Sequence, residues 1–127
     1  IEKMKMHGLK TIINLRGDKE TNIWESSLAD RLGLNYFNEP LDATKNFDRI
    51  QVQRILDIVA DSSKQPVLIH CLGGKDRTGL IAGIYKTHYL GEKFEDVKKE
   101  TIMFGHDAEN YTEVLKTIKN WDSTVDE

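Results

Sequence analysis

The segment His70 to Gly79, HCLGGKDRTG, sets a cysteine and an arginine six residues apart with two adjacent glycines between them. Residue types in that order suit an anion. The backbone N–H groups between Cys71 and Arg77 converge when the chain curls, and Gly73 and Gly74 tolerate the torsions that a tight curl requires. Leu80, Ile81, Ile84 and Tyr85 follow at helical spacing, so the curl opens onto a helix N-terminus, whose unpaired amides attract phosphate. Arg77 adds a planar fork that matches two phosphate oxygens. The same positive surroundings favour a thiolate at Cys71, a nucleophile placed beneath the anion. Leu72, Gly73, Gly74, Lys75, Asp76 and Arg77 are the expected phosphate-binding set. Thr78 can donate a hydrogen bond to the sulfur, while His70, with a backbone partner, and Gly79 support the loop.

These residues need a strand before them and a helix after them. Pro66 followed by Val67, Leu68 and Ile69 is a continuous apolar run, which predicts a central strand covered on both faces. Lys10 to Leu15 (KTIINL) predicts a second strand, and Leu34 to Leu41, interrupted by Pro40, a third. Asn22 and Glu25 have a capping-box spacing, with Trp24, Leu28 and Leu32 recurring until Gly33, which predicts a short helix. Asp48 and Gln51 are spaced as a second capping box ahead of Val52, Ile55, Leu56 and Val59, after a polar loop at 42–47. Phe94, Val97 and Thr101 mark one later helix, and Tyr111, Val114, Leu115 and Ile118 another, with a break at Phe104 and Gly105 and a frayed acidic tail over 122–127. Trp24, Tyr36 and Phe37 are expected in the core. Strands alternating with helices predict an α/β fold: one domain over 1–127, with a central, mostly parallel twisted sheet flanked by helices. The loop after Ile69 then lies at a strand's carboxyl end, where such sheets hold ligands.

Composition narrows the function classes. The 127 residues carry 18 basic and 21 acidic side chains, a net charge of −3, so there is no bulk positive field for nucleic acid or an anionic membrane. No apolar run approaches the roughly 20 residues of a membrane span. One cysteine and four histidines without ligand spacing give no internal disulfide and no zinc-type site, so neither metal nor cofactor is expected. His7, His88 and His106 are read as ordinary core or surface histidines. The chain opens on Ile1 rather than methionine, which leaves a preceding signal or anchor open, with the cytoplasm as the default compartment. Nothing in the sequence calls for more than a monomer.

His-Cys-x5-Arg-Thr-Gly resembles the phosphate-binding loop of the cysteine-dependent protein tyrosine phosphatases, and the short chain is similar to their dual-specificity and atypical bacterial branch. The resemblance spans roughly residues 9 to 91, including KTIINLRG and QPVLIHC. It implies two-step phosphomonoester hydrolysis through a cysteinyl-phosphate, without metal, with Cys71 as nucleophile and Arg77 clamping the phosphoryl group. It also implies an aspartate acid about 30 residues ahead of the cysteine, where Asp42 stands. Asp76 inside the KDR loop is the rival for that role, followed by Asp48, whose other reading is a helix N-cap. The GKDRTG ending resembles phosphatases of phosphoinositides or of several phosphoresidues, whereas Leu72 departs from the phosphoinositide branch, which has a second lysine there.

The expected substrate is a phosphorylated protein or a small phosphorylated molecule, phosphoinositides and inositol phosphates included. Two other functions share parts of this loop: a catalytically weak phospho-reader using the same nest, and a rhodanese-type sulfurtransferase, which also ends a strand on cysteine. Arg16, in NLRG, is placed either to face the anion or to make an ion pair.

Overall fold

Residues 7–41, 48–71, 76–103 and 112–121 are described in the computed structural model of the chain. Three short parallel strands, β1 (Thr11–Asn14), β2 (Asn35–Asn38) and β3 (Val67–His70), pair in the order β2-β1-β3. Asn14 stands opposite Asn38 on one side and His70 on the other, so all three strands end level at their carboxyl edge. Parallel neighbours require crossovers, and helices supply them. The first is α1 (Lys19–Leu32), between β1 and β2; the second is α2 (Arg49–Ala60), between β2 and β3. After β3 come α3 (Asp76–Ile84), a π-helical turn over Tyr85–Tyr89, α4 (Phe94–Met103) and α5 (Thr112–Asn120).

Side chains alternate across the strands and divide the interior into two apolar layers. On one face Ile12 packs with Leu9, Ala29 and Leu34 beneath α1. On the other, Ile13 and Leu15 join Val52, Ile55, Leu56, Leu80, Ile84 and Ile118 from α2, α3 and α5. The apolar spacing predicted for α2 is therefore buried, as are Leu80, Ile81 and Ile84 of α3, while Tyr85 opens the π-helical turn and is half-buried.

The centre of the sheet is β1, not the apolar β3. Thr11 to Asn14 are all fully buried, while Val67 to His70 are only half-buried at the described edge. Polar residues are tolerated in β1 because each has a partner. Thr11 accepts from Asn35 Nδ2 at 3.1 Å, and Asn14 Nδ2 donates to the Tyr36 hydroxyl at 3.1 Å.

Two other expectations change. The first helix is capped by Asp18, whose side chain accepts from Thr21 N–H, not by Asn22; Asn22 accepts from the Tyr36 hydroxyl at 2.8 Å. Trp24 is 63% exposed and lies outside the core, with Tyr36 and Phe37 half-buried. The buried stripe of α1 is Glu25, Leu28 and Ala29, and Trp24 falls beside it. Gly33 ends the helix at φ 72°, as its position predicts. Asp48 caps α2 through Ile50 and Gln51 N–H, but the Gln51 side chain donates to the Pro40 carbonyl instead of closing the box. The expected polar loop at 42–47, the break at Phe104 and Gly105 and the acidic tail lie outside the described residues.

Helices α3 and α5 cross closely at Gly83. A methyl group there would overlap Ile118 Cδ1 and stand 3.0 Å from its Cγ1. Replacing a helical glycine by alanine ordinarily gains about 1 kcal/mol, whereas overpacking a filled core costs about 1–3 kcal/mol. Gly83→Ala should therefore lower the thermal midpoint, and adding Ile118→Val, which removes Cδ1, should recover much of the loss. A single variant more stable than the parent would show that the helices part easily.

Candidate active site

Cys71 follows the last residue of β3 and is 8% exposed, packed in the layer that contains Leu15, Leu41 and Leu80. Five residues later α3 begins at Asp76, so Arg77 and Thr78 occupy its first turn. The Thr78 hydroxyl donates to Cys71 Sγ at 3.2 Å. Arg77 Nη1 donates to the Leu15 carbonyl at 3.3 Å. Strand end, sulfur, hydroxyl and guanidinium are thus gathered at the carboxyl edge of the sheet, as HCLGGKDRTG predicts. Gly79 continues α3. Leu72, Gly73, Gly74, Lys75 and Asp42 lie outside the described residues, and Asp76 is placed only as the first residue of α3.

Leu15 holds this edge together. Its N–H donates to the His70 carbonyl at 2.8 Å, and its carbonyl also accepts from Leu41 N–H at 3.2 Å. The segment after β1 is braced in turn by Asn38, whose Nδ2 donates to the carbonyls of Asn14 and Arg16 at 3.0 and 2.9 Å. Gly17, Pro40, Leu41 and Arg77 line an open cleft of about 320 Å³ between these segments.

Among the described residues, the charged side chains next to Gly17 and Pro40 are paired. Arg16 Nε donates to Asp18 at 2.7 Å, so Arg16 makes the ion pair that was one of its two readings. Hydrogen bonds from Thr21 and Arg16 outweigh partial desolvation and lower the Asp18 carboxyl to about 2. Arg54 grips Glu39 with two hydrogen bonds, at 2.8 and 2.7 Å, next to Pro40. Among the described residues no group of histidine, cysteine and carboxylate side chains could hold a metal ion.

Sequence reasoning missed the partner of His70. Its Nε2 lies 2.5 Å from Oε1 of Glu25, a carboxylate only 4% exposed, rather than against the backbone. The signal was present: Glu25 falls in register with Leu28, Ala29 and Leu32, so a carboxylate sits within the buried stripe of α1. Tyr36 shares this layer. Burial first, then the charges of Glu25 and Asp18, push its hydroxyl up, against the hydrogen bond from Asn14.

A model of the family described as DSP-PTPase phosphatase fused to NAD+ Kinase matches residues 1–119. The chain is 29% identical over 92 residues to probable NAD kinase 2, chloroplastic, of Oryza sativa subsp. japonica, covering 69% of this chain and 9% of that protein. It is 30% identical over 105 residues to the tyrosine-protein phosphatase-like protein OCA2 of Saccharomyces cerevisiae, covering 80% and 52% respectively. The chain therefore spans about a tenth of one curated relative and about half of the other. In fold it is similar to the core catalytic domain of the PP-IP phosphatase SIW14 from S. cerevisiae, solved with citrate. There the TM-score is 0.78 at 22% identity, with 97% of this chain and 72% of that chain covered.

The Glu39–Arg54 pair fixes the segment that ends in the cleft wall and gives the protein a defined acid response. The hydrogen bond from Arg54 holds the Glu39 carboxyl below its ordinary 4.5. A carboxyl lowered in the folded state contributes stability above the ordinary value and loses it as pH falls through the lowered one. Arg54→Met should cost under about 1 kcal/mol near neutral pH, and its denaturation curves should lose less stability than the parent's between pH 5 and pH 3. Parallel acid profiles for the two proteins would show that the pair contributes nothing.

Proposed function

Because the chain belongs to the family of DSP-PTPase phosphatases fused to NAD+ kinase, we propose that it is a cysteine-dependent phosphomonoester hydrolase that works through a cysteinyl-phosphate without metal. The observation that carries the reading is the 3.2 Å hydrogen bond from Thr78 to Cys71 Sγ at the mouth of α3, with Arg77 beside it. In the first step Cys71 sulfur attacks phosphorus, the S–P bond forms and the ester P–O bond breaks. Arg77 and the amides of 72–76 bind the equatorial oxygens as charge spreads onto them. An acid hands its proton to the leaving oxygen. In the second step water attacks phosphorus and gives its proton to the acid, now ionised, the S–P bond breaks, phosphate departs, and the Thr78 hydroxyl stabilises the thiolate that leaves.

Asp42 is the proposed acid. It directly follows Leu41, which lines the cleft beside Arg77. Asp76, the first residue of α3, is the rival for that role. His70 and Gly79 support the loop, and Lys75 adds positive charge to it.

The substrate is a phosphorylated protein or a small phosphorylated molecule. The openness of the cleft and its lining by Gly17, Pro40 and Leu41 favour a permissive site over a deep one. One relative is named as tyrosine phosphatase-like, and a structural neighbour is a PP-IP phosphatase, which makes aryl phosphate and inositol pyrophosphate the two substrates to compare. Aryl phosphate, the simpler of the two, is tested first.

Hydrolysis of a simple aryl phosphate in EDTA tests the reading. The parent should turn over, and Cys71→Ser should lose roughly a thousandfold or more in kcat. Asp42→Asn should lose the fall in rate at high pH that reports the acid, while Asp76→Asn keeps it. An inert parent, or an active Cys71→Ser protein, would overturn the assignment.

A further inference from the structure

The sheet face opposite Cys71 changes character along its length. At one end it is apolar, with Leu9, Ile12, Ala29 and Leu34 in contact beneath α1. At the end next to the loop it becomes polar, with Asn14, Tyr36 and His70 all held by side-chain partners. Glu25 is the one charged side chain among the described residues that is buried. From α1 its Oε1 reaches His70 Nε2 at 2.5 Å.

We infer that Glu25 is a positioning residue for Cys71, acting through His70. The inference rests on the phosphatase reading of Cys71. Stability alone does not explain a buried carboxyl group set against a histidine, since apolar side chains of similar volume in place of such interior polar pairs are often neutral or stabilising. A short bond between two rigidly placed groups instead fixes direction. His70 and Cys71 are successive residues, so their side chains leave the backbone on opposite faces. The ring of His70 is fastened to α1 and its carbonyl to Leu15 N–H at 2.8 Å. With both held, the peptide that leads into Cys71 has one orientation, and the sulfur stays beneath Thr78 at 3.2 Å. The clamp thus couples the helix on one face to the nucleophile on the other.

Cys71 is the sole cysteine, so alkylation by iodoacetamide reports its presentation without any substrate. Four variants are compared with the parent: Glu25→Gln, Glu25→Leu, His70→Asn, and Glu25→Leu combined with His70→Asn. The measurements are kcat and KM on aryl phosphate, alkylation rate of the folded protein, and thermal midpoint. Glu25→Leu and His70→Asn should each lower kcat about tenfold with KM changed by less than about twofold, because a small misplacement of a reacting atom acts on the chemical step. Both should also shift the alkylation rate. Glu25→Gln, which keeps an oxygen to accept from Nε2, should recover kcat to within about threefold of the parent. The double variant should lose no more than the worse single one, as expected for one linked device.

A lower midpoint with kcat and alkylation within about twofold of the parent would overturn the inference, as would a double variant that loses the product of both effects. If Glu25→Leu does not fold, His70→Asn against Glu25→Gln carries the same comparison. An inert parent would instead overturn the phosphatase reading, and the alkylation rates would still decide whether Glu25 positions Cys71.

Discussion

The carboxyl edge of the sheet depends on the backbone of one residue, Leu15. Its N–H is bonded to the carbonyl of His70, and its carbonyl receives both Leu41 N–H and Arg77. Three segments far apart in sequence are tied at that point: the strand that delivers Cys71, the segment that forms the cleft wall, and the first turn of α3. A fully buried Leu15 cannot exchange these bonds for water, so their geometry is enforced by the penalty for leaving backbone groups unpaired. The parallel sheet matters to function chiefly because it sets three strand ends level and leaves a helix N-terminus facing them.

The two faces of the sheet then divide the work. On the face of Cys71 the surroundings are apolar, with Ile13, Leu15, Leu80 and Ile84 packed against α2, α3 and α5. Among the described residues Thr78 brings a hydroxyl to the sulfur and Arg77 a guanidinium to the cleft. On the opposite face buried Asn14 and Glu25 and half-buried Tyr36, Asn22 and His70 are matched, in a chain from Asn14 through Tyr36 to Asn22 with His70 and Glu25 alongside. A buried carboxyl group there is expensive unless well partnered, and its bond to His70 fixes the direction in which His70 hands the chain to Cys71.

What was legible in the sequence was local. HCLGGKDRTG announces the strand that ends at His70 and the helix that begins at Asp76, and each change of type has a physical reason that needs no distant partner. The helical spacings of Val52, Ile55, Leu56 and Val59, and the cap at Asp48, are also local and hold in the structure. The rest depended on contacts across the fold. β3 reads as central because it is apolar, yet β1 takes that place and carries Asn14 and Thr11, whose partners lie on β2 and around it. Trp24 reads as core by type, but the turn of α1 sets Glu25 inward and Trp24 toward solvent. A buried carboxylate becomes intelligible only when His70 is seen opposite it, 45 residues along the chain.

The central claim is that Cys71 carries the phosphoryl group between the two steps. The direct measurement is rapid mixing of the protein with an aryl phosphate, quenching in acid within the first turnover, and mass spectrometry of the peptide that contains Cys71. Phosphoryl bound to the sulfur, at a level that rises before steady state and is absent in Cys71→Ser, is the predicted result. Product formation with Cys71 unmodified at every quench time, or a phosphoryl group on another residue, would contradict it.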